Sequence, residues 1–175
     1  ELMGRGSVAQ RLVDFVQAGV GSVRGSLGVT TVGTSAIFGA ISGASAATVA
    51  TVGKVMYPAM RRAGYPETFS AGLITAVGAI DIIIPPSIPM VIYASIANVS
   101  VGKLFLAGAV PGILMGLALM IMIYFVAKKR KYPVHARFSM KEAISSFIDG
   151  FLPLMTPVII LGGILGGVLG HQIGG

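Results

Sequence analysis

The residues best equipped for chemistry stand where an apolar segment interrupts itself. Asp81-Ile82-Ile83-Ile84-Pro85-Pro86-Ser87-Ile88-Pro89 sets an acid, three prolines and a serine inside one of the most apolar regions of the chain. A Pro-Pro pair removes two N–H donors and pushes Ile84 out of the α region. Carbonyls from Asp81 to Ile84 then lose their helical partners and become ligands for a hard cation such as Na⁺. Ser87 and the N–H groups after the prolines can face an anion, because a second half-helix starts there. A lone proline would read as a kink in a packed helix; this cluster of prolines, with Ser and Asp beside it, favours a site.

The second candidate is Ser42-Gly43-Ala44-Ser45. It lies within Gly33 to Thr48, where small residues follow one another almost throughout. A single helix there is poor by propensity, since each Gly costs about 1 kcal/mol against Ala. Two shorter helices meeting at 42–45 explain the pattern better, with Gly43 freeing the backbone at the tip. Read structurally, the same residues serve close helix packing. Thr48 and Thr51 are expected to bond back to their own helix carbonyls.

Other candidates are weaker. His135 and His171 sit in or near polar ends, and Asn98-Val99-Ser100 is only a formal glycosylation triplet. No Ser/His or Asp/Asp pairing falls within the apolar spans, so no enzyme is expected.

Composition says what surrounds these residues. The chain is 54% hydrophobic and 11% charged, with 25 glycines, and its mean hydropathy is +0.87. A soluble domain carries about 25% charged residues, so too few remain here to cover a water-facing surface. Lipid is the expected solvent. Asp81 then gains weight, because an acid in a membrane interior costs at least ~2.5 kcal/mol on insertion scales and marks a functional residue by default. It serves as a cation ligand or proton carrier, unless it lies at a wet cavity edge or pairs with a base elsewhere. The net charge of +7 falls in short clusters between apolar runs, the pattern of cytoplasmic loops rather than of a nucleic-acid footprint. No Cys is present, so no disulfide or thiolate metal site is expected.

The fold class expected is an all-α integral membrane protein. An amphipathic segment over 1–24 lies at an interface or packs on a neighbour. A re-entrant helical hairpin covers 25–60, and a discontinuous transmembrane helix covers 65–100, broken at 85–89. A transmembrane helix follows over 104–127, then a cytoplasmic connector over 128–150 and a last transmembrane helix over 151–170. Lys128-Lys129-Arg130-Lys131 and Arg61-Arg62 set the inner side. A hairpin over 25–60 also keeps Arg5, Arg11 and Arg24 inside, leaving Lys103 as the one exception. The opening Glu1-Leu2-Met3 and the closing Gly174-Gly175 read as cut ends of a longer membrane protein.

The stretches GAISGASAATVATVGKVMYPAMRRAGY, IIIPPSIPMVIYASIANVSVGKLFLAGAVPGILMGLALMIMIYFVAKKRKYP and PVIILGGILGGV resemble the large membrane subunit of tripartite ATP-independent periplasmic (TRAP) transporters. The similarity covers nearly the whole chain up to about Val168. It implies an ion-transporter-type fold of two inverted repeats, of which this chain carries the first. It also implies an elevator mechanism driven by Na⁺ in the bacterial inner membrane. A periplasmic solute-binding protein would deliver an organic acid, C4-dicarboxylate-like or a sugar acid, and a small membrane subunit would complete the complex. Carried onto matching positions, a Na⁺ site would use the tip at Ser42, Gly43 and Ala44 with carbonyls around Asp81, Ile84 and Pro86. Ser45 and Ser87 would face substrate. The family usually has Gly at position 81 and often Ser at position 44. The tail from Gly170 to Gly175 also leaves the family pattern. The readings that compete with transport are a passive pore subunit and a non-transporting membrane fragment.

Overall fold

A computed structural model of the chain describes residues 7–21, 23–132, 155 and 158–163. Of the expected connector over 128–150, the part from 133 onward, with most of the expected helix over 151–170 and both histidines, lies outside the described residues. The described residues form six helices: α1 (Ser7–Val20), α2 (Ser26–Ser42), α3 (Ser45–Arg62), α4 (Glu67–Asp81), α5 (Ile88–Ala97) and α6 (Val101–Lys129). Short helical pieces follow at 155 and 158–163. No strand occurs among the described residues.

The hub is α2, which packs on α1, α3, α4 and α6 at once. Its small side chains make this possible. A Cβ at Gly33 would stand 2.8 Å from Val16 of α1, and one at Gly28 would stand 2.7 Å from Ile123 of α6. Burial here extends to polar residues: Ser26, Thr30, Thr31, Thr34 and Ser35 are all enclosed. Thr31 donates to the Leu27 carbonyl at 2.7 Å and touches the Met60 sulfur at 3.6 Å. In lipid no hydrophobic gain drives helices together, so close approach and such contacts carry the association.

The N-terminal helix α1 packs through Ala9, Leu12 and Val13, all buried. This amphipathic segment packs on α2 and α3. The spanning candidate α6 has 29 residues and contains an 18-residue window with a mean hydropathy of 2.3. At about 1.5 Å per residue it is long enough to cross a bilayer core of about 30 Å. It begins at Val101 and continues through Pro111, three residues ahead of the start expected at 104.

The two basic clusters come together at one end of the bundle. Arg61 and Arg62 close α3, and Lys128 and Lys129 close α6. Between them Tyr65, Phe69 and Tyr132 form an aromatic cluster, with the Tyr65 and Tyr132 ring centroids 4.5 Å apart and Phe69 at 6.0 and 5.6 Å from them. Arg61 donates to the Tyr65 carbonyl at 2.8 Å, which pins the α3–α4 connection beneath the rings.

Candidate functional site

The two sequence candidates meet. At the end of α2, Gly43 adopts φ 64°, ψ 7° and donates to the Gly39 carbonyl at 2.7 Å. That left-handed turn is a helix C-cap that glycine adopts without steric cost. Ala44 is extended and leads directly into α3. The resulting tip docks on the interruption between α4 and α5: the Ile88 N–H donates to the Gly43 carbonyl at 3.1 Å. A Cβ on Gly43 would lie 3.2 Å from the Pro86 carbonyl oxygen and 3.3 Å from Ile88 Cγ1.

The interruption itself follows from proline chemistry. α4 ends at Asp81, and Ile83 and Ile84 both donate to the Ile80 carbonyl, at 2.9 and 3.1 Å. Neither Pro85 nor Pro86 can donate onward. Among the described backbone bonds outside the helices, none ends on the carbonyls of Asp81, Ile83, Ile84 or Pro86. These are acceptors with lone pairs to spare, as the sequence leads one to expect. Across the break stands α6, cut back by two glycines. A Cβ at Gly108 would lie 2.9 Å from the Ile83 carbonyl oxygen and would collide with the Met90 methyl, and one at Gly112 would lie 3.0 Å from Ile84 Cγ1.

The anion-facing donors after the prolines are fewer than expected. Of the first three residues of α5, Ile88 spends its N–H on Gly43, and Pro89 has none. The Ser87 side chain is 1% exposed and its hydroxyl has no partner among the described residues. Ser45 is half-buried on the wall of an open, mostly apolar groove of about 440 Å³ between α3 and α4, a wall that does not include Ser87. Val49, Thr75, Gly78 and Ile82 share that wall. Asn98 turns out to have a local structural role: at φ 51° it is the left-handed C-cap of α5.

Asp81 is completely enclosed, and neither carboxylate oxygen has a hydrogen-bond partner among the described residues. Its side chain fills the space a Cβ would need at Gly39, 2.6 Å from both Cγ and Oδ1. Thr48 is the side chain that bears on it from α3, without a bond of acceptable geometry. The Thr48 hydroxyl instead reaches back to the Ala44 carbonyl at 3.4 Å, a long contact. Burying a charge without a partner is costly, so this carboxylate is the least satisfied group among the described residues of the site.

Reasoning from sequence missed Gly39, Gly108 and Gly112. Spacing held part of the signal: Gly108 and Gly112 stand four residues apart on one face of an apolar helix. Which groups they face depends on tertiary packing.

Fold and site together are those of an α-helical membrane protein. The family described as tripartite ATP-independent periplasmic transporter, DctM component, matches residues 1–172, and the chain belongs to that family. It is 48% identical over 161 residues to the C4-dicarboxylate TRAP transporter large permease protein DctM of Pseudomonas aeruginosa, covering 92% of this chain and 38% of that protein. It is 42% identical over 162 residues to the sialic acid TRAP transporter large permease protein SiaM of Vibrio cholerae, covering 93% and 38%. Likeness to the 2,3-diketo-L-gulonate TRAP transporter large permease protein YiaN of Escherichia coli is 39% over 163 residues, again 93% and 38%. The chain thus spans well under half the length of these curated relatives.

Proposed function

We propose that this chain is the first-repeat portion of a Na⁺-coupled permease that imports an organic acid across the bacterial inner membrane. The observation that carries the reading is the docking of the Gly43 tip on the helix interruption, with unpaired carbonyls gathered on the interrupted side. In this reading α2 and α3 are a re-entrant hairpin. At 17 and 18 residues they are about 26–27 Å long, short of a full bilayer core. α4 and α5 are the two halves of one discontinuous helix. Irregular backbone at membrane depth is tolerated where protein surrounds it or water fills a cavity beside it, and the tip and α6 supply such surroundings here.

The residues that would hold Na⁺ are Ser42, Gly43 and Ala44 at the tip, with carbonyls of Asp81, Ile84 and Pro86 across from them. The Gly43 oxygen already accepts from Ile88 and keeps a second lone pair. Ser87 and Ser45 would border the substrate path. Tip and interruption are tied by the Gly43–Ile88 bond and the Gly39–Asp81 contact, which suits a unit moving as one body in an elevator-type cycle. Relatives whose names specify C4-dicarboxylate, sialic acid, 2,3-diketo-L-gulonate and isethionate support an organic acid as the substrate. A periplasmic solute-binding protein and a small membrane subunit complete the assembly.

The test is uptake by proteoliposomes holding the full-length permease with its small subunit, supplied with loaded binding protein. Accumulation against a gradient is expected under an inward Na⁺ gradient and not in choline buffer. Equal uptake in both buffers would overturn the coupling, and downhill flux without binding protein would favour a passive pore.

A further inference from the structure

We propose that the Asp81 side chain is itself a cation ligand: its carboxylate, set between Gly39 of α2 and Thr48 of α3, binds one alkali cation alongside the backbone carbonyls of the interruption. This deepens the transport reading and rests on it only in naming Na⁺ as the ion.

Four observations converge. Asp81 is 0% exposed with both oxygens unpartnered among the described residues, so an ionised carboxylate there requires a counter-charge. The described ion pair, Arg61 with Glu67, lies at the far basic end of the bundle. Next, the packing is built to admit the carboxylate: α2 offers Gly39 where any Cβ would fall 2.6 Å from Asp81 Cγ. Third, hydroxyl-bearing residues stand on both helices that flank it. Thr48 bears on the carboxylate directly. Ser35, four residues before Gly39 and so on the same helical face, is 1% exposed with an unpartnered hydroxyl. Finally, the donor set selects the ion. One carboxylate among hydroxyls and carbonyls neutralises a single positive charge. Among the described residues no group of three His, Cys, Asp or Glu exists that would hold a transition metal, and calcium sites draw on more carboxylates than this.

The experiment uses the full-length permease purified in detergent. NaCl is titrated against choline chloride at constant ionic strength, and the rise in melting temperature gives the Na⁺ midpoint. Asp81→Asn keeps the side-chain size that Gly39 accommodates, and its melting temperature in choline alone reports whether it folds. Its Na⁺ midpoint is expected to weaken at least tenfold, and that of Asp81→Gly likewise, which keeps the test open should the amide variant misfold. Midpoints within twofold of wild type in both variants would overturn the proposal, as would a wild type that Na⁺ does not stabilise over choline. Parallel uptake assays separate the two ideas. Na⁺-driven uptake with an unshifted midpoint removes Asp81 as a ligand and leaves the coupling. A shifted midpoint without Na⁺-driven uptake retains the ligand and removes the coupling.

Discussion

Ile88 donates its backbone N–H to the carbonyl of Gly43 at 3.1 Å, so the first turn of α5 is capped by the tip between α2 and α3 rather than by its own segment. This bond joins two parts of the chain that lie 45 positions apart and brings both candidate stretches into one site. Its partner geometry depends on Gly43, whose φ of 64° disfavours a side chain and whose surroundings would hold one tightly.

Gly43→Ala is therefore expected to loosen the tip. The left-handed conformation costs a residue with a Cβ about 1–2 kcal/mol, and the added methyl meets the Pro86 carbonyl. Uptake by the full-length permease should fall by about tenfold if the whole of that cost falls on the transport-competent state. Wild-type uptake with an unchanged melting temperature would show that the docking seen here is dispensable.

Gly39→Ala should behave according to what stands at position 81. With Asp81 present, the new methyl clashes with the carboxyl carbon, and overpacking of this kind costs about 1–3 kcal/mol. In the Asp81→Gly background the same substitution is expected to be nearly neutral. A thermodynamic cycle read by thermal unfolding in detergent should yield a coupling of about 1 kcal/mol or more. Additive effects would contradict the contact.

Pro85→Ala and Pro86→Ala together return two N–H donors to the interruption. The carbonyls of Asp81 and Ile82 then gain partners at the i+4 positions, and α4 is expected to extend toward Ser87. The permease should still fold, while the Na⁺ dependence of uptake should weaken. Retention of full Na⁺ dependence would argue that those carbonyls are not ligands.

Gly28→Ala tests the packing of α2 on α6. The added Cβ would lie 2.7 Å from the Ile123 methyl, a loss of about 1–3 kcal/mol by overpacking. Ile123→Ala in the same molecule should recover most of it. Absence of rescue would mean that the strain is relieved elsewhere.

Much of this arrangement was legible in residue types. Gly43 amid Ser42, Ala44 and Ser45 announces a turn between two helices because a continuous helix there would be unstable. Pro85 and Pro86 announce an end to α4 because they cannot donate. What stayed hidden depends on pairings between distant positions. Nothing at Gly39 says that Asp81 will occupy the space of its missing side chain, and nothing at Tyr132 says that it will pack against Tyr65. The capture of the Ile88 N–H by Gly43 was hidden for the same reason, which is why the α5 terminus offers an anion fewer donors than its local sequence promises. Asn98 illustrates the reverse case, in which a motif for modification is explained by backbone geometry alone.

The pair of glycines on α6 carries a consequence of its own. Gly108 and Gly112 contribute no side chain to the site, yet the Ile83 carbonyl and Ile84 sit in the hollow they leave. α6 shapes its side of the interruption by subtraction, as a mould rather than a ligand. Any residue larger than glycine at either position would press on the interrupted backbone from behind, and so would act on whatever that backbone binds without touching it.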